Sequence, residues 1–229
     1  MAIDGPAGAG KSTLARRIAD KLGFIYVDTG AMYRGVALWA LRNGTALNDM
    51  HRLEQLAIEA QIAFAAGART VLLNGEDVTE AIRAPEVGDA ASKVSVVPGV
   101  RRALVARQRE LAENASVVME GRDIGTVVFP EATVKFYLDA AAEVRAGRRV
   151  LDLAAAGERV SHEAVAAGLR ERDQRDQTRT HSPLMQAPDA VYLDSSALTI
   201  DEVEAAMLKT IRERTSNGKE PARGKEQES

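Results

Sequence analysis

Gly5-Pro6-Ala7-Gly8-Ala9-Gly10-Lys11-Ser12 has the form G-x-x-x-x-G-K-S. Glycines at these positions let backbone N–H groups close around phosphate oxygens. A helix starting behind them would add roughly half a positive charge. Lys11 is then placed to reach the β and γ phosphates, Ser12 to hold Mg²⁺, and Thr13 to complete the phosphate-binding set. The competing reading is a glycine-rich turn that caps an ordinary helix. The Lys-Ser pair after the last glycine speaks against it, so a nucleoside triphosphate such as ATP is the expected ligand.

Three further clusters carry charge in places where packing does not ask for it. Asp28-Thr29-Gly30-Ala31-Met32-Tyr33-Arg34 sets a hydroxyl and a guanidinium across a strand-to-helix junction. Arg34 suits a phosphate or carboxylate fork, although an N-capping Asp or Thr beside a surface Arg reads equally well. Glu120-Gly121-Arg122-Asp123-Ile124-Gly125-Thr126 follows an apolar run. Arg122 offers a bidentate fork, and Asp123 offers an acceptor for an exocyclic amine or for Mg²⁺-bound water. The plainer reading is a polar turn with a local Arg–Asp pair. On a helix, Arg172, Arg175, Asp176 and Arg179 share one face. Such a face suits phosphoryl transfer, where catalysis is positioning and charge neutralisation, but it also suits a solvated helix held by i,i+4 pairs. Arg145, Arg148 and Arg149 are candidates for the same lid or for plain surface charge.

These clusters need elements to hold them. Leu14, Ile18 and Leu22 mark one face of a helix from Thr13 to Leu22, and Phe24–Val27 reads as a strand. Helices are expected over 31–42 and 50–60, then short strands at 62–64 and 70–73 with Gly67 in the turn. Helices at 85–97 and 99–113 meet at Pro98-Gly99. Runs 117–119 and 134–138 read as buried parallel strands. Helices follow over 141–156 and from about Ser161, then a strand at 191–193. Thr199 and Glu202 form a capping box for a last helix ending near Arg214. Strands alternating with helices imply a mostly parallel sheet covered on both faces, with ligands at the carboxyl ends of the strands. The short strands at 62–78 interrupt that alternation and read as an insertion.

Bulk properties narrow the classes. The 229 residues carry a net charge of −3, 45% hydrophobic residues and no cysteine. Disulfides, thiolate chemistry and Cys-based zinc sites are excluded. No global basic field is present to hold nucleic acid, and His51, His162 and His181 are scattered. The expectation is a cytoplasmic monomer acting on small molecules, without nucleic acid or membrane partners.

Together, Gly5–Ser12, the 28–34 segment, Gly121-Arg122-Asp123-Ile124-Gly125-Thr126-Val127-Val128-Phe129-Pro130 and Arg172-Asp173-Gln174-Arg175-Asp176 resemble the bacterial cytidylate (CMP) kinase family, in order from residue 2 to about residue 212. The resemblance implies an α/β, P-loop three-layer fold with a central parallel sheet, an inserted monophosphate-binding domain with a small β-sheet, and a helical lid. It places the core at 1–55, 103–143 and 180–214, the insertion at 56–102 and the lid at 144–179, with a disordered tail at 215–229. It implies that Arg34 and Arg122 grip the CMP phosphate. Thr29, Asp123, Arg101 and Arg179 would read cytosine, and Ser92, Arg172 and Asp176 would hold the sugar. Lys11, Arg122, Arg172, Arg175 and Arg179 would be catalytic, with ATP as donor, Mg²⁺ on Ser12, and CMP and dCMP as acceptors. Only Met1–Asp4 precede the loop, so a short first strand is expected. The same chemistry on UMP, dTMP or shikimate is the alternative. A nucleotide-dependent switch is a weaker one, because the chain has no N-K-x-D motif.

Overall fold

A computed structural model describes residues 1–65, 70–113, 115–155 and 157–216. The expected turn at Gly67, the helix end at Ala156 and the tail from residue 217 lie outside the described residues. In chain order the elements are β1 (Ala2–Asp4), α1 (Lys11–Leu22), β2 (Ile25–Asp28), α2 (Thr29–Arg42), α3 (Met50–Glu59), β3 (Ile62–Ala65), β4 (Thr70–Leu73), β5 (Glu76–Asp77), α4 (Pro85–Val94), α5 (Pro98–Glu110), β6 (Val117–Gly121), β7 (Lys135–Asp139), α6 (Ala142–Ala155), α7 (His162–Thr178), β8 (Val191–Asp194) and α8 (Ile200–Ser216).

Five strands form one parallel sheet in the order β2-β6-β1-β7-β8. Parallel neighbours need crossovers, and the helices between them supply these. β1 is short, as expected, and lies in the middle of the sheet. Its residues pair with β6 on one side (Asp4 opposite Gly121) and β7 on the other (Asp4 opposite Tyr137). Ile3, Leu14, Ile18, Phe136, Leu138 and Met207 pack one face of the sheet against α1 and α8. Ala2, Val27, Met119, Ile124 and Val128 cover the other face.

The interruption at 62–77 is a separate antiparallel sheet, β3-β4-β5. It packs on a second apolar cluster built around α2, α3, α4 and α5, with Met32, Val36, Leu53, Leu56, Val94 and Leu104 fully buried. The α6–α7 pair has only a small cluster of its own, centred on Ala146, Val165 and Ala166. The 5–12 loop and the 28–34 and 120–123 segments thus stand beside large cores, whereas α6 and α7 barely have one.

Several boundaries differ from the sequence reading, for physical reasons. Helix α2 starts at Thr29, not Ala31, because the Asp28 side chain caps it by accepting from the Ala31 N–H at 2.9 Å. Phe24 lies outside β2 at 36% exposure, half in solvent rather than in the sheet. Pro98 begins α5 as its first residue, where a missing N–H costs nothing, so the break falls at 95–97. Strand β6 runs to Gly121 and so includes Glu120. A single π-helical turn, Ile124–Val128, follows it and had no signal in the sequence pattern. Helix α8 continues through Thr215 to Ser216, beyond the expected end at Arg214. Its capping box forms as read, with Glu202 accepting from the Thr199 N–H at 2.8 Å. Among the described residues no helix is long and apolar enough to cross a membrane.

Candidate active site

The loop between β1 and α1 uses glycine where only glycine fits. Gly5 has φ +145°, and a Cβ there would stand 1.9 Å from the Leu138 carbonyl oxygen. Gly10, at φ 94°, enters α1 with no side-chain cap, so the first N–H groups of that helix face the loop interior. Lys11 is 5% exposed and donates from Nζ to the Pro6 carbonyl at 2.6 Å. Burial, reinforced by the Arg122 charge, pushes its ammonium down to about 7, against the pull of Glu120. Glu120 is buried beside it and accepts from the Tyr26 hydroxyl at 2.5 Å. Burial and the Asp28 charge raise the Glu120 carboxyl above its ordinary value, while Lys11 and the Ser12 hydroxyl oppose that shift.

A cleft of about 1030 Å³ opens from this loop. Lys11, Ser12 and Thr13 line one side, and Thr29, Arg34, Ser92, Arg122, Asp123, Arg172, Asp176 and Arg179 line the rest. Thr29 donates to the Glu120 carbonyl at 2.7 Å, and Arg34 pairs with Asp28 at 2.7 Å. Partly exposed Arg122 pairs with buried Asp176 at 2.9 Å, joining the end of β6 to α7. Burial works against both charges. Asp176 nonetheless keeps Arg122 above its ordinary value, and Arg122 with Arg172 holds Asp176 below the usual carboxylate range. Burial and then Arg122 lower Arg172 to about 10, and its Nε has no hydrogen-bond partner among the described residues. A half-buried cation repelled by another cation, with an unpartnered Nε, is primed for an anion.

Asp123 pairs with Arg101, and Arg179 lies 3.6 Å from its other oxygen. Burial and then the Arg101 charge lower Arg179. Arg101 itself stands behind Asp123 and does not line the cleft; neither does Arg175. Arg175 instead donates to the Ser92 hydroxyl at 2.6 Å and to Glu171 at 2.5 Å. Gly5 and Pro6 are likewise set back from the wall. Arg179 is not on the helical face it was expected to share. It is the C-terminal cap of α7, in extended backbone (φ −62°, ψ 138°), which is why it reaches Asp123 rather than standing over Arg175.

The three arginines of α6 separate by role. Arg145 is buried and ties α6 to the 5–12 loop and to α7, donating to the Ala7 carbonyl at 3.2 Å and to Asp173 at 2.6 Å. Arg148 donates to the Ser195 carbonyl at 2.7 Å, and Arg149 lines the cleft. Sequence reasoning does not reach Asp4 or Tyr26, whose partners lie far away along the chain, and it names Arg145 without its partners. Glu120 carried a weak signal, as a carboxylate inside an apolar run. Among the described residues no group of three or more His, Asp or Glu is placed to hold a metal.

The family described as Cytidylate kinase matches residues 1–213. A cytidylate kinase of Solibacter usitatus is 61% identical over 222 residues, covering 96% of this chain and 95% of the relative. One of Desulforamulus reducens is 52% identical over 209 residues, covering 91% and 94%. A solved gluconokinase of Sinorhizobium meliloti 1021 has a TM-score of 0.48 at 17% identity, covering 96% of each chain.

Proposed function

The chain belongs to the cytidylate kinase family, and from that premise we propose how its cleft divides the work of moving the γ-phosphoryl group of ATP onto CMP. The protein is a nucleoside monophosphate kinase, a phosphotransferase with a phosphate acceptor. The acceptor oxygen is already anionic near neutral pH, so the reaction needs no general base. Its difficulty is bringing two polyanions together.

Lys11 and the loop amides take the β and γ phosphates of ATP. Arg34 and Arg122 hold the CMP phosphate, and Arg172 offsets the charge that develops between them. Asp123, with Arg101 behind it, Thr29 and Arg179 read the cytosine. A carboxylate accepts from the exocyclic amine of cytosine and repels the carbonyl that uracil presents there. Ser92, Asp176 and Arg172 hold the sugar, and Arg175 fixes the Ser92 hydroxyl. The segment 56–102 serves as the acceptor-binding insertion and 144–179 as a lid whose closure excludes water. Deoxycytidylate is accepted as well.

The Ser12 hydroxyl and the buried Glu120 carboxylate, both oxygen donors, would hold Mg²⁺ beside the loop. When bound, the ion neutralises phosphate charge and orients the group that moves.

The observation that carries this reading is the Arg122–Asp176 pair in a cleft shared with Lys11. It sets a cation from the end of β6 and a lid residue opposite the triphosphate loop. A coupled assay of ADP release with CMP, dCMP, UMP, AMP and dTMP tests it. CMP and dCMP should give the highest kcat/KM. Equal rates with UMP would remove the base-reading role from Asp123, and ATP hydrolysis without any acceptor preference would remove the acceptor site.

A further inference from the structure

The turn that carries the acceptor site is not capped by its own residue. Asp123 stands at the N-cap position of the Ile124–Val128 turn, where an aspartate ordinarily accepts the N–H groups that follow it. It makes no such bond. Asp4, from the end of β1, takes its place. The Ile124 N–H donates to Asp4 Oδ1 at 2.8 Å, and the Gly125 N–H donates to Asp4 Oδ2 at 2.7 Å. The Asp4 side chain thus caps a turn 120 residues away along the chain. A Cβ on Gly125 would come within 3.3 Å of Asp4 Oδ2 and 3.1 Å of Lys135 Cδ, so the glycine allows this close approach.

Two consequences meet at Asp123. Both leading N–H groups of the turn are already satisfied by Asp4, so neither draws the Asp123 carboxylate back onto the backbone. Burial raises the Asp4 carboxyl to about 6, against its two backbone hydrogen bonds, and the nearby Asp123 charge adds to the rise. The Asp123 side chain therefore turns the other way, onto Arg101 and Arg179. Asp4 is buried, 4% exposed, and immediately precedes Gly5 of the phosphate loop. One carboxylate links the strand that enters the donor site to the turn that carries the acceptor site.

We propose that Asp4 is a positioning residue for acceptor selection: by capping the 124–128 turn from β1, it leaves the Asp123 carboxylate free to meet the base of the monophosphate. The proposal rests on the base-reading role given to Asp123 above.

The test compares wild type, Asp4→Asn, Asp123→Asn and the double variant. Each is assayed for kcat and KM with CMP, UMP and ATP. An asparagine keeps one acceptor and turns an amine toward the other N–H, so Asp123 should swing back to cap its own turn. The preference of Asp4→Asn for CMP over UMP should then fall about tenfold, the loss expected for one charge-assisted hydrogen bond, while its KM for ATP stays within about twofold. In the double variant the preference should drop no further than in Asp123→Asn alone, because both changes remove the same contact. A preference kept in Asp4→Asn but lost in Asp123→Asn would overturn the proposal. So would losses that multiply in the double variant, or KM values for ATP and CMP that rise together, since those mark a purely structural residue. If Asp123→Asn keeps its preference for CMP, the base-reading role fails by itself. The crystal structure of Asp4→Asn then decides the positioning role: an Asp123 carboxylate bonded to the 125 or 126 N–H supports it, and one still on Arg101 overturns it. Asp4→Glu, which keeps the charge but shifts it by one methylene, takes the same assays should Asp4→Asn fail to fold.

Discussion

On the loop side, one uninterrupted stretch, Gly5–Ser12, leads into the first turn of α1, and together they form one wall of the cleft. On the facing side, side chains arrive from α2, α4, the end of β6, α7 and its cap. The loop side works through backbone geometry, and its weak point is space. The facing side works through charges buried in pairs, and its weak point is a missing partner. A buried cation tolerates the loss of its anion poorly, because the desolvation penalty remains when the attraction has gone. The same substitution, to alanine, should therefore do different harm on the two sides.

Arg122→Ala should have the largest effect. It removes a phosphate-facing cation and strands Asp176, and kcat/KM for CMP should fall about 10³-fold, in the range seen for arginines at phosphoryl-transfer sites. The KM for ATP should move by less than about threefold, and steady-state kinetics with each substrate varied will show it. A parallel rise in both KM values would mean that the two sides are not separable. Gly5→Ala should come next and should act on folding rather than chemistry. Its Cβ would stand 1.9 Å from a carbonyl oxygen at φ +145°, and thermal unfolding should report a loss on the order of 3–5 kcal/mol. Gly10→Ala meets nothing within 4 Å and bears only the cost of its left-handed backbone, about 1–2 kcal/mol. Equal losses at the two glycines would remove the steric argument.

The smallest effect concerns protons. The Lys11 ammonium is held down to about 7 in the free protein by burial and by Arg122. Near neutral pH the free enzyme therefore carries part of it neutral, and a bound triphosphate would favour the charged form. ATP binding should take up protons, more at pH 7.5 than at pH 6. Calorimetry in buffers of different ionisation enthalpy measures this, and Lys11→Arg, always charged, should abolish it. Uptake that persists in Lys11→Arg would assign the proton to another group.

The same contrast explains how much of the molecule was legible from sequence. The loop and the strand–helix alternation were readable because their causes are local: glycine spacing, 3.6-residue periodicity, a capping box. The parallel sheet and the small inserted sheet followed from these. The clusters at Thr29–Arg34, Arg122–Asp123 and Arg172–Asp176 stood out by composition, and the fold does bring them to one cleft. Their pairings were not legible. Nothing local tells that Arg175 meets Ser92, that Arg101 stands behind Asp123, or that Arg145 reaches across to Ala7. The helical face drawn through Arg179 overran the true end of α7, because an arginine gives no stop signal of its own. The turn at 124–128 was invisible because its cap is Asp4, far away in sequence.

The three residues of β1 also set an order of events during synthesis. They are made well before their strand partners β6 and β7, which lie far along the chain. Closing so long a loop is slow and entropically costly. The nascent 5–12 loop must therefore stay formless until residues 117–139 have emerged, and a truncated chain stopping short of them would leave it without a floor.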